Sequence, residues 1–193
     1  MRNFFGLNQC CKVNAEILDL WARILREIPN SRLSLLTTAG SQRQAALDRL
    51  AAAGVAPERV DFIGLQSRYD YLAEYQKLDI SLDTVPYNGH TSSLDSLWMG
   101  VPVVTLVGNT VVGRAGVSQL TNLGLTEFIA RTPDEYVAKT LALAADRPRL
   151  RELRQTMRER MLASPLTDAA RFARNIEAAY RDMWRAWSLE FRL

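Results

Sequence analysis

The chain is poor in cysteine and in histidine. Its 193 residues include two cysteines, adjacent at Cys10 and Cys11, and one histidine, His90. Neighbouring cysteines rarely bridge each other, and the sequence has neither a Cys-x-x-Cys pair nor a His/Cys cluster that could hold zinc. We therefore expect a reducing, cytoplasmic setting and no metal.

Long apolar runs and an excess of one charge are also missing. No apolar run approaches the ~18 residues of a membrane span, and the N-terminus lacks the apolar core of a signal peptide. The net charge is only +3, with Lys and Arg interleaved with Asp and Glu. Despite a pI near 9.1 there is no basic stripe with interleaved aromatics. The sequence predicts neither a nucleic-acid partner nor a membrane partner.

The remaining composition is that of a globular protein. Hydrophobic residues make up 48% and charged residues 23% of the chain, and its length suits one well-buried domain. The opening residues 1–6 have no natural lead-in and receive no secondary-structure prediction. We therefore expect that the chain could be a piece of a larger protein.

The apolar spacing predicts strands alternating with helices. Asn14 is suited to cap a first helix over residues 14–28, and Gly54 to end a second one in the left-handed conformation. Strands are predicted at 32–38, 60–65, 80–84, 102–107 and 128–129, and helices at 14–28, 42–53, 68–77, 91–100 and 116–123. This alternation predicts an α/β fold, a Rossmann-like, doubly wound parallel sheet.

After Pro133 the pattern is entirely helical. The last of three predicted helices begins near Thr167 and carries Trp184, Trp187 and Phe191. Clustered aromatic side chains usually cover something. This helix is expected either to pack on its own sheet or to cover a partner domain, and the sequence leaves both open.

The loop Tyr87–Asp95 is the most informative stretch of the sequence. It holds the only histidine and small hydroxyl residues, and it joins the predicted strand 80–84 to the next helix. Backbone N–H groups at a helix start lack intrahelical partners and attract anionic oxygens. Ligands of such sheets bind beyond the carboxyl ends of the strands. The loop therefore predicts a phosphate site.

Thr91 and Asp95 are four residues apart and share a helix face. A hydroxyl group and backbone amides suit a diphosphate, and a carboxylate one turn further on suits a ribose diol. Alternatively, Thr91 or Ser92 caps the helix, with Asp95 as the acid of a capping box. The pattern alone favours neither. No Gly-x-Gly-x-x-Gly follows any strand, which disfavours a dinucleotide oxidoreductase.

The residues around this loop resemble the C-terminal catalytic lobe of O-linked N-acetylglucosamine transferases. The motifs that carry the resemblance are Asn8–Lys12, Trp21, Pro29-Asn30-Ser31, Leu82-Asp83-Thr84, Asn88–Ser92, Asp95, Leu97-Trp98, Gly100, Pro102–Thr105, Arg114, Ser118-Gln119-Leu120 and Ser164-Pro165-Leu166. The resemblance covers nearly the whole chain. It implies one lobe of a metal-independent GT-B glycosyltransferase. The implied reaction transfers a sugar from a UDP-sugar such as UDP-GlcNAc to Ser/Thr hydroxyls of proteins.

The resemblance also implies the site, position by position. The residues that it places against the nucleotide sugar are Gln9, Lys12, Gln66, Arg68, Tyr71, His90, Thr91, Ser92 and Asp95. Among these, Lys12 is implied as the catalytic residue, because it contacts the diphosphate and stabilises charge on the leaving group. Asp95 is implied to hold the ribose.

Alternatives remain for single residues. Lys12 could be a solvated lysine, and His90 could be a core histidine. The sequence also departs from the family, since Tyr71 stands where the animal enzymes have a histidine against the base and Glu74 replaces a basic residue. An aromatic ring at Tyr71 could still stack on a base.

The resemblance assigns residues 1–163 to a nucleotide-sugar-binding lobe. Residues 164–193 remain as a C-terminal helix that could pack against an N-terminal lobe. That lobe, tetratricopeptide repeats and an acceptor protein are the implied partners besides the UDP-sugar, and the chain alone is expected to be inactive. A degenerate nucleotide-binding or protein-interaction module is the alternative function. Another GT-B enzyme acting on lipid or small-molecule sugars explains the Asn88–Ser92 block less well.

Overall fold

The computed structural model describes residues 2–6 and 12–190, which form one six-stranded parallel sheet with flanking helices. The strands are β1 Arg2–Gly6, β2 Ser31–Leu36, β3 Val60–Ile63, β4 Ile80–Leu82, β5 Val103–Leu106 and β6 Ile129–Ala130. The helices are α1 Ala15–Glu27, α2 Ser41–Ala52, α3 Arg68–Glu74, α4 Thr91–Trp98, α5 Ala115–Asn122, α6 Pro133–Ala145, α7 Arg147–Leu162 and α8 Ala169–Glu190. Short 3-10 turns are Pro57–Arg59, Tyr75–Lys77, Val111–Gly113 and Thr126–Phe128.

The strand order confirms the predicted doubly wound α/β fold. The strands run β3-β2-β1-β4-β5-β6, and every described pair is parallel. The order reverses between β1 and β4, where Phe4 is in register with Ile80. Ligands of open parallel sheets bind beyond the carboxyl ends of the strands at such a reversal. The chain segments that follow β1 and β4 therefore flank the expected ligand crevice.

Strand β1 is the element that the sequence did not predict. It lies at the centre of the sheet, pairs with both β2 and β4, and buries Phe4 completely. Only five residues long, it opens with Arg2 and Asn3 and so has no clear apolar alternation. Its pairing on both sides stabilises it, and strand propensity depends strongly on such context.

The core joins two helices to the carboxyl end of β4. In α1, the Asn14 side chain accepts a 2.9 Å hydrogen bond from the Ile17 N–H, which confirms the predicted cap. Trp21 Nε1 donates to the Tyr136 hydroxyl of α6 at 3.2 Å, and that hydroxyl donates to the Asp83 carbonyl at 3.0 Å. Both rings are fully buried, and burial raises the pKa of Tyr136 well above its usual range.

Several element ends differ from the predicted ones for local reasons. The strand predicted over 80–84 ends at Leu82, because the Asp83 carboxylate accepts the Thr84 N–H at 3.0 Å and turns the chain into the loop. The helix predicted over 68–77 ends at Glu74 and continues as a 3-10 turn. Gly54 has φ +84° after α2, as predicted for a left-handed helix end.

Helix α8 projects its apolar side chains into solvent. None of its described residues is buried. Its exposed large apolar side chains, spaced one to four residues apart, are Phe172, Ile176, Tyr180, Met183, Trp184, Trp187 and Leu189. The prediction that this helix packs on its own sheet is therefore wrong for the described residues, and Phe191 lies outside them. None of the helices described is long and apolar enough to cross a membrane.

Candidate functional site

The loop after β4 is organised around the buried carboxylate of Asp83. Its Oδ1 accepts the Thr84 and Gly89 N–H groups at 3.0 and 2.6 Å, and its Oδ2 accepts the Thr105 hydroxyl of β5 at 2.7 Å. Asp83 is 1% exposed. Charge-assisted hydrogen bonds of this kind are the strong ones. Both ends of the loop are thereby tied to the sheet.

Asn88 fixes the middle of the same loop. This fully buried side chain donates through Nδ2 to the Thr84 carbonyl at 2.9 Å, and its Oδ1 accepts the Gly116 N–H of α5 at 3.4 Å. Its own N–H donates to the Val112 carbonyl at 3.0 Å. The backbone carbonyl of Asn88 is thus held in a defined place near the start of α4.

His90 begins α4, and no capping box forms. It is the N-cap residue, and its side chain makes no capping hydrogen bond with the described part of the chain. The capping roles considered for Thr91, Ser92 and Asp95 are therefore wrong. His90 is exposed, so it is not a core histidine either. The first N–H groups of α4 have no intrahelical partner, as at every helix start, and the helix dipole makes this end favourable for an anion.

Lys12 and His90 converge on one carbonyl oxygen. Lys12 Nζ lies 3.1 Å and His90 Nδ1 lies 3.2 Å from the Asn88 carbonyl. A carbonyl can only accept, so Nδ1 carries the proton in this arrangement. Lys12 follows β1 and His90 follows β4 along the chain, so the two sides of the strand-order reversal supply one cationic corner.

Asp95 and Arg68 form a bidentate ion pair beside this corner. Arg68 donates to the two Asp95 carboxylate oxygens at 2.8 and 2.6 Å, and these hydrogen bonds raise the pKa of the Arg68 guanidinium. Asp95 is 9% exposed. The carboxylate implied for the ribose is therefore engaged by a residue implied for the base. A carboxylate has about four acceptor positions, and Arg68 uses two of them.

Two tyrosines line the neighbouring face. The Tyr71 and Tyr75 hydroxyls are 2.6 Å apart, and their rings meet edge to face with centroids 5.4 Å apart. The Tyr75 hydroxyl donates to the Ser92 carbonyl at 3.4 Å. Burial raises the pKa of both phenols, so both remain neutral at physiological pH. Glu74 is paired with Lys77 at 2.9 Å.

The structure brings most of the implied site residues together, but not all of them. Seven of them lie around the start of α4: Lys12, Arg68, Tyr71, His90, Thr91, Ser92 and Asp95. Gln66 is exposed and forms no hydrogen bond within the described ranges, and Gln9 lies outside the described residues. In residues 2–6 and 12–190 no group of three or more His, Cys, Asp or Glu could hold a metal ion.

Sequence reasoning missed the supporting role of three residues that hold the loop in place. Asp83, Thr105 and Gln119 hold the loop through contacts between distant segments. Gln119 Nε2 donates to the His90 carbonyl at 3.2 Å, and its Oε1 is buried with no hydrogen-bond partner among the described residues. All three lie in motifs that carry the resemblance, Leu82-Asp83-Thr84, Pro102–Thr105 and Ser118-Gln119-Leu120, but a motif does not show which contacts its residues make.

Known proteins share this fold and much of this sequence. The chain is 43% identical over 188 residues to a protein of Solanum lycopersicum, the probable UDP-N-acetylglucosamine–peptide N-acetylglucosaminyltransferase SPINDLY, covering 95% of this chain and 20% of that protein. A mutant of Thermobaculum terrenum O-GlcNAc transferase superposes with a TM-score of 0.90 at 40% identity, over 96% of this chain and 36% of that chain.

A more distant structure shares the fold only. A mutant of S. aureus TarM in complex with fondaparinux, α-GlcNAc-glycerol and UDP has a TM-score of 0.64 at 10% identity, over 83% of this chain and 32% of that one.

The chain thus spans about a fifth of the length of SPINDLY. The sequence pattern of glycosyl transferase family 41 matches residues 3–176, which make up most of the chain. The chain therefore belongs to glycosyl transferase family 41.

Proposed function

We propose that this chain is the donor-binding half of a protein O-glycosyltransferase that transfers N-acetylglucosamine from UDP-GlcNAc to Ser or Thr hydroxyls. The observation that carries the proposal is the convergence of Lys12 and His90 on the Asn88 carbonyl at the start of α4. The name of the tomato relative agrees with this donor and with a peptide acceptor, and that of the bacterial relative agrees with O-GlcNAc transfer.

Lys12 and α4 would stabilise the leaving group. Sugar transfer builds negative charge on the departing diphosphate. A fixed ammonium group and the N–H groups of a helix start stabilise such charge without reorganisation and without a metal ion. Removing one preorganised donor typically costs about two to three powers of ten in rate. Thr91 and Ser92 supply further hydroxyl and N–H donors at the same helix start.

Asp95, Arg68 and Tyr71 would bind the nucleoside. Asp95 keeps acceptor positions for the ribose hydroxyls beside its bonds to Arg68. Tyr71 presents a neutral, partly buried ring that can stack on uracil. Gln9, near the sugar, and Gln66, near the base, complete the set of residues proposed to bind the UDP-sugar.

The rest of the catalytic machinery would lie in a second lobe outside this chain. That lobe would supply the acid–base group, and tetratricopeptide repeats would bind the acceptor protein. We further propose that α8 covers this second lobe, because its large apolar side chains are exposed and most of the relatives' length lies outside the chain. The chain alone would then bind UDP weakly and transfer no sugar. Its cytoplasmic location stays a prediction.

Calorimetric titration of the chain with UDP tests the proposal. We expect wild type to bind, and Lys12→Met and Asp95→Ala to bind roughly 10- to 100-fold more weakly, the range for a lost hydrogen bond to a charged group. Lys139→Met is the matched control, because Lys139 bonds the Glu127 carbonyl on another part of the surface. An unchanged UDP affinity in both site variants would refute the proposal. Parallel titrations with GDP and ADP test whether the site prefers uracil over other bases.

A nucleotide-binding or protein-interaction module without catalysis is the second candidate. The Arg68–Asp95 pair favours it, because this pair engages the carboxylate that the ribose needs. Tight UDP binding that does not depend on Lys12 would support a binding module. Sugar transfer by this chain alone would contradict both the module and the proposed need for a second lobe.

A further inference from the structure

Tyr87 lies at the cationic corner but has no role in the function proposed above. Tyr87 is 42% exposed on the loop after β4. Lys12 Nζ lies 3.9 Å from the centroid of the Tyr87 ring, over its face. The His90 ring is 5.4 Å away, tilted by 58°. The aromatic face therefore contacts one cation of the site and adjoins the histidine.

We propose that Tyr87 is a positioning residue that holds the Lys12 ammonium group at the start of α4. The inference rests on the proposed function, in which Lys12 acts on the diphosphate. Tyr87 acts through Lys12 and is assigned no contact with the reacting atoms.

A lysine needs such support to act as a preorganised donor. Its four-carbon stem is flexible and loses rotamer entropy when the ammonium group is held in one place. The face of an aromatic ring attracts an ammonium group through the ring quadrupole. The Asn88 carbonyl at 3.1 Å and the Tyr87 ring at 3.9 Å are both fixed partners of the Lys12 ammonium group. The cost of ordering the stem is then met before a ligand arrives.

The ring is itself held by a rigid segment. The Tyr87 carbonyl accepts the Thr84 hydroxyl at 2.6 Å. Asn88, which follows Tyr87, and Thr84 are both fully buried. Asn88 Nδ2 donates a hydrogen bond to the Thr84 carbonyl at 2.9 Å. A backbone fixed on both sides leaves the ring few orientations, so the buried part of the loop determines where the ammonium group is held.

A ligand-free measurement tests the contact directly. The chain has only three lysines, Lys12, Lys77 and Lys139, so the Lys12 ε-methylene signal can be assigned by its absence in Lys12→Met. A ring current shields protons that lie over a ring face. We expect the Lys12 signal upfield of the other two in wild type and in Tyr87→Phe, and at their position in Tyr87→Leu. An unshifted Lys12 signal in wild type would overturn the inference.

A double-mutant cycle tests the consequence for binding. From the range for a partly exposed cation–π contact, Tyr87→Leu should weaken UDP binding by roughly 3- to 10-fold, and Tyr87→Phe should restore it. In a Lys12→Met background, Tyr87→Leu should have no further effect. An equal loss in both backgrounds would overturn the inference, because the ring would then act on the ligand or the loop rather than through Lys12.

The failures of the two proposals are distinguishable. If Lys12→Met weakens binding and Tyr87→Leu does not, the inference fails and the proposed function stands. If Lys12→Met leaves UDP affinity unchanged, the proposed function loses its central residue and the inference fails with it. Tyr180→Leu, an equivalent change in an exposed tyrosine of α8, is the matched control and should leave both the lysine signals and the affinity unchanged.

Discussion

At the scale of single residues, the loop after β4 depends on buried groups that do not face the ligand crevice. Asp83 accepts from two loop N–H groups and from a hydroxyl of the neighbouring strand, while Asn88 joins the loop to α5. Lys12 and His90 can share one carbonyl only because that carbonyl is held still. The resemblance included Asp83 and Asn88 among its motifs, and the structure shows that these buried residues place the ones at the crevice.

Asp83→Ala should destabilise the chain strongly. The substitution leaves the Thr84 and Gly89 N–H groups and the Thr105 hydroxyl without their buried acceptor. We expect a loss of about 3–5 kcal/mol in the free energy of unfolding, measured by urea denaturation. Asp182→Ala, which removes an exposed partner of a helical ion pair, should cost less than about 0.5 kcal/mol. Equal losses in the two variants would contradict this role of Asp83.

At the scale of elements, β4, its loop, α4 and β5 act as one unit, and α5 packs against it very closely. A Cβ at Gly116 would lie 2.3 Å from the Thr105 hydroxyl oxygen and 2.9 Å from Asp83 Oδ2. Only glycine allows the start of α5 to approach the hydrogen bond that joins β5 to the loop. The spacing of the sequence predicted the helix but not this approach.

Gly116→Ala should therefore cost about 1–3 kcal/mol in the free energy of unfolding, the usual range for overpacking a buried site. The added methyl group must displace either Thr105 or Asp83, so UDP affinity should fall together with stability. Gly64→Ala is the control, because a Cβ there meets nothing within 4 Å. Chemical denaturation of both variants checks the prediction, and a Gly116→Ala protein as stable as the control would disprove the close contact.

At the scale of the whole molecule, the lobe and α8 are energetically separate. The described residues of α8 are all exposed, whereas α7 buries Leu150, Leu153, Met157 and Met161. Most of the helix therefore contributes little to the stability of the sheet. Its apolar side remains available to the second lobe that we propose.

Truncation after Asp168 should leave the lobe folded. Since α8 buries no described side chain, we expect the free energy of unfolding to change by less than about 1 kcal/mol, which corresponds to about 2–4 °C in Tm for a chain of this size. Differential scanning calorimetry measures the change. A much larger drop in Tm would show that α8 packs on the lobe after all. Red-shifted emission of Trp184 and Trp187 in the full chain provides an independent check of their exposure.

The alternation of strands and helices could be predicted from the sequence, because apolar periodicity and caps such as Asn14 are local signals. The place of the loop Tyr87–Asp95 could also be predicted, because its residues form one continuous motif. The central position of β1 could not be predicted, because its pairing partners lie far away along the chain. The same holds for the Arg68–Asp95 pair and the Lys12–Tyr87 contact. Each joins segments tens of residues apart, and such contacts exist only once the sheet has brought its carboxyl ends to one edge.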